Sequence, residues 1–192
     1  MMPENVLPTR QPQWLIVITG LPGSGKTTLA RQLARAHRLA LLAKDDIKEP
    51  LLEVLKGTVD DSRRVSDAAF RVLFTQAQQL LLAGCDLIIE GNFRASEHAA
   101  ALGALTGAGA LRRVQILCRV PEPLRQAALS ARARIQHPGH EPLQQARYAP
   151  ECDDFLALPG ERLLADATPG LADSQRQVLA QLAELLSGCG KQ

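Results

Sequence analysis

The residues with the clearest chemistry form a glycine-rich loop at residues 20–28, GLPGSGKTT. This loop matches the P-loop pattern, in which two glycines five positions apart precede Lys and then Ser or Thr. The glycines let successive backbone N–H groups face one anion, and the start of the following helix adds positive dipole potential. In this pattern Lys26 contacts the β- and γ-phosphates of ATP, and the Thr27 hydroxyl binds Mg²⁺. The residues expected to bind ATP are Gly20, Leu21, Pro22, Gly23, Ser24, Gly25, Lys26, Thr27 and Thr28.

Two adjacent carboxylates, Asp45 and Asp46, follow the short apolar run at residues 39–43. One of them is expected to cap the next helix, because Asp accepts N–H groups there and suits the positive end of the helix dipole. The other could accept the proton of an attacking hydroxyl, which is the base role in phosphoryl transfer. We predict that Asp45 is the catalytic base and that Asp46 is the cap.

A third acid, Glu90, ends the apolar run DLIIE and is followed by GNFR. At a strand end, such an acid could hold Mg²⁺ through water, orient an acceptor hydroxyl, or simply face solvent. We expect Glu90 to join Thr27 in binding the metal. Phe93 could wall a substrate pocket or belong to the core. The candidate substrate-binding residues are Asp45, Lys48, Asn92 and Arg94.

Arginines are concentrated between residues 112 and 147, where seven of them accompany two glutamates. Helical spacing places Arg125 and Arg132 on one face of a helix. We expect these two to be catalytic, by closing over the phosphates and offsetting charge as the bond breaks. A solvated basic face is the better interpretation for at least half of the arginines. His137 and His140 lie in the turn HPGH, which favours lid geometry over a metal site because a turn is a poor rigid platform.

These residues must be positioned by short apolar runs that alternate with helical patterns. The predicted strands cover residues 14–19, 39–43, 86–93, 112–120 and 162–168. The predicted helices cover residues 26–37, 46–56 (partly broken by Pro50), 61–83, 96–105, 121–135, 141–148 and 174–186. This alternation is typical of an α/β domain with a mostly parallel sheet, in which ligands bind beyond the carboxyl ends of the strands. The glycine-rich loop, the paired aspartates and Glu90 all follow such ends.

The composition is typical of one globular domain. Of 192 residues, 46% are hydrophobic, the net charge is +2, and aromatic residues make up 3%, which leaves few side chains for stacking nucleic-acid bases. The four cysteines lack metal-binding spacing, and no apolar run reaches the ~18 residues of a membrane span, so we expect a cytoplasmic protein with reduced cysteines and no membrane partner. We predict a flexible N-terminal tail at 1–13, a domain at 14–187 and a C-terminal tail at 188–192.

Taken together, the loop GLPGSGKTT, the stretch KDDIK and the stretches EGNF and HPGH resemble the small P-loop kinases. The likeness covers residues 14–186 and is to the AAA_33-type group, which is related to polynucleotide 5′-hydroxyl kinases, zeta toxins, chloramphenicol phosphotransferases and gluconate kinases. KDDIK is similar to the R-D-D-x-R stretch of the polynucleotide kinases, whose first aspartate is the base. That likeness implies the same role for Asp45, while Lys48 stands where those kinases have arginine and lacks its bidentate fork.

The same resemblance implies a three-layer α/β/α sandwich with a five-stranded parallel sheet of order 2-3-1-4-5. It further implies a helical lid at about residues 121–150 that supplies an arginine to the transferred phosphate, and an adenine site near Thr168 and Pro169.

The main functional hypothesis is an ATP-dependent phosphotransferase that moves the γ-phosphate of Mg·ATP to a small hydroxyl compound. The first alternative is a polynucleotide 5′-hydroxyl kinase, which the basic lid favours and which the low aromatic content and Lys48 disfavour. The second alternative is an ATP-binding regulatory or accessory protein without transfer activity. The sequence leaves open the identity of the acceptor and the oligomeric state.

Overall fold

A five-stranded parallel sheet forms the centre of the protein. The computed structural model describes residues 12–55, 62–133, 153–168 and 170–188. The strands are β1 (Gln13–Gly20), β2 (Ala40–Ala43), β3 (Leu87–Glu90), β4 (Leu111–Arg119) and β5 (Glu161–Asp166). Their order is β2-β3-β1-β4-β5, and all four neighbouring pairs are parallel. The predicted parallel sheet and its strand order are therefore confirmed.

Helices cover both faces of this sheet and complete the predicted three layers. They are α1 (Lys26–His37), α2 (Lys44–Val54), α3 (Ser62–Leu82), α4 (Ala95–Ala104), α5 (Glu122–Ala133) and α6 (Leu171–Ser187). On one face, side chains of α1 and α6 pack against Trp14, Ile16 and Ile18 of β1. On the other face, side chains of α3 and α4 pack against Leu15 and Val17. The central strand is buried on both sides, which explains its continuous apolar run.

The sheet begins one residue earlier than predicted, because Gln13 belongs to β1 and is buried. Its side-chain amide donates hydrogen bonds to the carbonyl oxygens of Leu81 and Cys85 and accepts one from the Ala108 N–H. One polar side chain thereby satisfies three backbone groups, which come from the last turn of α3 and from the segments before β3 and β4. Gln13 is therefore a structural residue of the sheet rather than part of an N-terminal tail.

The helix after β2 also differs from its prediction. It begins at Lys44, two residues early, and it runs through Pro50 instead of breaking there. A proline in a helix removes one backbone donor and crowds the preceding turn, which bends or weakens a helix without always ending it. Starting at Lys44 gives the segment before Pro50 a full turn and a half.

Strand register brings the candidate site residues to one edge of the sheet. Ile18 and Ala43 both pair with Glu90 from either side, and Gly20 pairs with Cys118. The segments that follow β1, β2 and β3 therefore leave the sheet side by side.

Several predicted features lie outside the described residues: the helix at 141–148, His137, His140 and Pro169. Within the described ranges, no helix has both the length and the apolar character needed to cross a bilayer.

Candidate active site

The phosphate loop, residues 20–28, joins β1 to the first turn of α1. Gly20 has a φ of 141°, and a Cβ at this position would lie 2.3 Å from the Cys118 carbonyl oxygen. Only glycine fits there, because even a methyl group would collide with the backbone of β4. Gly25 is the N-cap of α1 and provides no side-chain cap. The first N–H groups of that helix are therefore left for a ligand.

Three buried polar groups line this loop. The Lys26 ammonium donates a hydrogen bond across the loop to the Leu21 carbonyl oxygen at 3.0 Å. Ser24 Oγ and Gln175 Nε2 are buried and have no hydrogen-bond partner among the described residues. Buried polar atoms without partners are uncommon and often mark a place that a ligand or water completes. A cation, two donors in need of acceptors and a tightly turned backbone together fit a polyphosphate.

Thr27 and Glu90, the two predicted metal-binding residues, are in direct contact. Thr27 Oγ1 donates a hydrogen bond to Glu90 Oε2 at 3.1 Å. Glu90 is 3% exposed, so the alternative of a solvent-facing acid is wrong. Burial raises the pKa of the Glu90 carboxyl; the Lys26 charge and the Thr27 hydrogen bond act against that shift, and the charges of Asp45 and Asp46 add to it.

The contact between Thr27 and Glu90 suits magnesium, which takes few protein ligands and prefers oxygen. A hydroxyl and one carboxylate would hold the ion beside the phosphates. Among the described residues, no group of three or more His, Cys, Asp and Glu side chains could hold a metal ion by itself. The donor set therefore fits a cation that arrives together with a nucleotide rather than a permanently held metal.

Asp45 lies in the first turn of α2, directly beyond the carboxyl end of β2. Its side chain is about one-third exposed, and its Oδ1 accepts a hydrogen bond from Lys44 Nζ at 3.1 Å. Asp45 is close enough to Glu90 for its charge to raise the pKa of that buried carboxyl. Two carboxylates from neighbouring strand ends thus share the edge that carries the phosphate loop.

The prediction that Asp46 caps α2 is wrong. Ala43 occupies the N-cap position, in an extended conformation and without a side-chain hydrogen bond to the helix. Asp46 instead forms an exposed ion pair with Arg31 of α1 at 3.0 Å. Because α2 starts immediately after β2, both aspartates fall inside its first turn, where negative charge still suits the helix dipole.

Lys44 is a polar residue of this edge that sequence reasoning missed. Its side chain is 7% exposed, and its ammonium lies 5.6 Å from the centre of the Phe70 ring. Gly91 of the next strand end leaves room for this packing, since a Cβ there would lie 3.2 Å from ring atoms of Phe70 and Phe93. Lysine is normally a surface residue, so nothing in the stretch KDDIK predicted that Lys44 is buried.

The turn after β3 carries the other two predicted substrate residues, Asn92 and Arg94. Arg94 is the N-cap residue of α4, and its guanidinium pairs with Glu97 at 2.8 Å. The backbone N–H of Arg94 donates to Nδ1 of the buried His98 at 2.9 Å. Burial lowers the pKa of His98, which suits a ring that must be neutral to accept this bond. His98 therefore fixes the backbone that presents both residues.

An aromatic cluster lies behind this turn and consists of Phe70, Phe74, Phe93 and His98. The closest pair is Phe70 and His98, whose ring centres are 4.0 Å apart. Phe93 is fully buried among these rings. Phe93 is therefore a core residue, and the alternative that it walls a substrate pocket is wrong.

Arg125, one of the two predicted catalytic arginines, is buried against the phosphate loop. Its guanidinium forms two short hydrogen bonds with the Glu122 carboxylate, at 2.6 and 2.7 Å, and donates a longer one to the Pro22 carbonyl oxygen at 3.4 Å. The Arg125 hydrogen bonds are the main cause of the lowered pKa of Glu122, about 2. The solvated-face interpretation therefore does not apply to Arg125, which already touches the loop.

The remaining predicted residues are less informative. Lys48 is half-buried on α2, one turn after Asp45. Arg132 belongs to α5, but its side chain lies outside the described residues, so a shared face with Arg125 stays a prediction. Thr168 is exposed, and both its N–H and its hydroxyl bind Asp166. The first turn of α6 also reaches the loop: Leu171 Cδ1 would lie 3.2 Å from a Cβ at Gly25.

Comparison with known proteins agrees with this geometry. A structure described as a "putative kinase" from Chloroflexus aurantiacus J-10-fl matches with a TM-score of 0.77 and 28% sequence identity, covering 91% of this chain and 98% of that one. A sugar kinase from Janibacter sp. HTCC2649 matches with a TM-score of 0.63 and 17% identity, covering 90% of this chain and 95% of that one.

A third similar structure is the APS kinase of Mycobacterium tuberculosis in complex with AMPPNP and APS. It matches with a TM-score of 0.55 and 18% identity, covering 91% of this chain and 99% of that one. No match was found among curated proteins. All three structures are described as kinases, and the names of the second and third give different acceptors.

The family AAA_33, described as an AAA domain, matches residues 15–149. This match covers more than half of the chain and includes the phosphate loop, both aspartates, Glu90 and Arg125. The chain therefore belongs to the AAA_33 family and has the fold of a P-loop kinase.

Proposed function

We propose that this protein is an ATP-dependent kinase that transfers the γ-phosphate of Mg·ATP to a hydroxyl group of a small molecule. The observation that carries the proposal is the side-by-side arrangement of the phosphate loop, the Thr27–Glu90 contact and Asp45 at one sheet edge. A protein that only bound a nucleotide would need the loop, but it would have no use for a second carboxylate next to it. The kinases among the similar structures support the same interpretation.

In this mechanism the phosphate loop binds the triphosphate through its backbone N–H groups and the uncapped start of α1. Lys26 exchanges its hydrogen bond with Leu21 for phosphate oxygens. Thr27 and Glu90 would hold magnesium, which when bound would offset the negative charge of the phosphates. A metal ligand must be deprotonated, so a bound ion would favour the charged form of Glu90, which burial disfavours.

Asp45 then acts as the base. The acceptor oxygen attacks the γ-phosphorus, its proton passes to the Asp45 carboxylate, and the bond from the γ-phosphorus to the bridging oxygen breaks to release ADP. Asp45 is suited to this step because it is partly exposed and can be reached by an acceptor, whereas Glu90 is enclosed. Residues 44–48 and 91–94, called the acceptor surface below, would bind the second substrate.

The arginines of α5, Arg125 and Arg132, would complete the site. Arg125 already touches the loop at Pro22, and in this mechanism its guanidinium would leave Glu122 and contact the phosphates. Arg132 is the second candidate from the same helix.

The paired aspartates allow a matched test of the proposal. Asp45→Asn should reduce phosphate transfer by at least about 10³-fold, because amide nitrogen and oxygen cannot take the proton, while ATP affinity stays within a few-fold. Asp46→Asn is the control, since Asp46 lies in the same turn but pairs at the surface with Arg31. Transfer of label from γ-labelled ATP would be measured over sugars, nucleosides, antibiotics and 5′-hydroxyl oligonucleotides. Near-normal transfer by the Asp45→Asn variant would remove Asp45 from the mechanism.

Two alternatives are separated by the same experiment. A polynucleotide 5′-hydroxyl kinase would label the oligonucleotides in preference to the small acceptors. A regulatory ATP-binding protein would bind ATP but label no member of the panel, with or without Asp45.

A further inference from the structure

We propose that Lys44 recognises an oxyanion on the phosphate acceptor, so that the protein prefers hydroxyl compounds carrying a carboxylate or a phosphate ester. The inference rests on the proposed kinase function and assigns a specificity to the same site. Its starting point is a lysine that is buried at a sheet edge where ligands bind.

The hydrogen bonds of Lys44 leave capacity for a ligand. A lysine ammonium has three N–H donors. Within the described part of the chain, Nζ makes one hydrogen bond, to Asp45 Oδ1, and faces the Phe70 ring at 5.6 Å. Burying a charge costs free energy unless the group is paired and fully hydrogen-bonded. An acceptor oxyanion would supply the missing partners.

The surroundings of Lys44 would strengthen such a contact. Phe70 and Phe93 pack behind Lys44, so its ammonium lies beside apolar side chains. Opposite charges attract each other more strongly in such surroundings than in water. The first turn of α2, where Lys44 lies, has no side-chain cap, and its N–H groups add positive potential.

The contact between Lys44 and Asp45 limits the distance between the oxyanion and the reacting hydroxyl of the acceptor. Nζ and Oδ1 are 3.1 Å apart. An oxyanion bound to Nζ and a hydroxyl bound to the same Oδ1 would each lie about 2.8 Å from their partners, so the two groups are no more than roughly 9 Å apart. The two groups are therefore close enough to belong to one small molecule, with recognition and proton removal side by side.

Three sets of acceptors that differ in charge test this inference: glycerol with glycerate and glycerol 3-phosphate, glucose with gluconate, and a nucleoside with its 3′-monophosphate. Transfer from Mg·ATP would be measured with the wild-type protein, Lys44→Met, Lys44→Arg and Arg31→Met. In at least one set, the kcat/KM of the wild-type protein should be at least tenfold higher for a charged member than for the neutral member. The carboxylate and phosphate arms of the first set show which oxyanion is preferred.

Lys44→Met should abolish this preference, mainly by raising KM for the charged member. Lys44→Arg should retain part of it, because the positive charge remains. Arg31→Met, which removes an exposed cation near the same helix, should keep the wild-type preference.

Two outcomes would overturn the assignment. The first is wild-type transfer without a preference for the charged member in any set. The second is a Lys44→Met variant that loses activity equally on charged and neutral acceptors, which would mean that Lys44 serves only as the ion-pair partner of Asp45. Failure of the wild-type protein to label any acceptor would contradict the kinase function itself, and the specificity with it.

Discussion

In the phosphate loop the backbone determines the geometry, whereas on the acceptor surface charged side chains hold one another in place. Gly20 fits against the Cys118 carbonyl because it has no side chain, and α1 starts with an uncapped turn. On the acceptor surface, Asp45 is held by Lys44, and Arg94 is held by Glu97. The first arrangement admits almost no substitution, whereas the second can be altered one residue at a time.

This contrast explains how one fold can serve many acceptors. The similar structures include a sugar kinase and an APS kinase at 17% and 18% identity, so the architecture persists while the named acceptor changes. A phosphate-binding backbone is suited to every nucleoside triphosphate, but each acceptor needs its own charges and hydrogen bonds.

The largest effect should come from giving the phosphate loop a side chain. Gly20→Ala places a methyl group 2.3 Å from a backbone oxygen that cannot move without disturbing β4. It also imposes a φ of 141° on a residue with a Cβ. We expect the free energy of unfolding to fall by about 3 kcal/mol or more, and ATP binding to be lost. Urea denaturation and ATP titration by calorimetry would measure both effects.

Gly109→Ala is the matched control for that substitution. Gly109 is exposed in the connection before β4, and a Cβ there meets no atom within 4 Å. Its free energy of unfolding should stay within about 0.5 kcal/mol of wild type. If Gly20→Ala were equally mild, the loop would be more adaptable than its backbone contacts indicate, and the contrast with the acceptor surface would fail.

Glu90 lies where the two regions meet, and Glu90→Gln should raise stability while lowering activity. Burial favours the protonated carboxyl, so the wild-type protein should lose stability as the pH rises from about 4.5 through the raised pKa of Glu90. The substituted amide has no charge to bury, and its oxygen can still accept the Thr27 hydrogen bond. We expect a higher free energy of unfolding at pH 7.5, no corresponding pH dependence, and at least about a 10²-fold loss of magnesium-dependent transfer.

The control for this experiment is Glu184→Gln, which removes a carboxylate from α6, away from the phosphate loop. Urea denaturation at pH 5 and pH 7.5 would compare the three proteins in the absence of nucleotide. A Glu90→Gln variant less stable than wild type at pH 7.5 would show that the carboxylate is favourably paired in the empty site.

The two regions also differ in how far the sequence predicts them. The phosphate loop could be predicted almost completely, because its glycines, lysine and threonine have fixed spacing and follow a buried strand. The strand order came from the resemblance to P-loop kinases, and the structure confirms it. Glu90 was placed correctly next to Thr27 because the ends of parallel strands meet at one edge.

The acceptor surface could be predicted only in part. The choice between Asp45 and Asp46 depended on where α2 begins, and sequence patterns locate helix ends poorly, so the cap was assigned to the wrong residue. The burial of Lys44 depends on space left by Gly91 and on the Phe70 ring, which come from separate segments of the chain. The hydrogen bond from the Arg94 N–H to His98 could not be predicted either, because the position of a histidine in a helical pattern does not indicate which donor it accepts from.

The smallest predicted effect tests the side-chain support of the acceptor surface through His98. Neutral His98 accepts a hydrogen bond from the Arg94 N–H, and burial lowers the pKa of His98 in the folded protein. The contribution of His98 to stability is therefore present above about pH 6.5, the pKa of the unfolded state. It disappears as the pH falls through the lowered pKa of the folded state. His98→Asn keeps an acceptor oxygen without a titrating group, whereas His98→Phe keeps a ring packed against Phe70 without the acceptor. Each variant should be about 1 kcal/mol less stable than wild type at pH 7.5, and both should lack the decrease in stability that we expect of wild type between pH 7.5 and pH 5.5. Urea denaturation would give the stabilities, and the NMR shift of the Arg94 amide would report the hydrogen bond directly. In wild type, we expect the Arg94 amide resonance to shift with pH and the Gly25 amide resonance to stay constant. This result would show that protonation of His98 loosens the acceptor surface and leaves the phosphate loop unchanged. Parallel shifts of both resonances would show that the two regions are not supported independently.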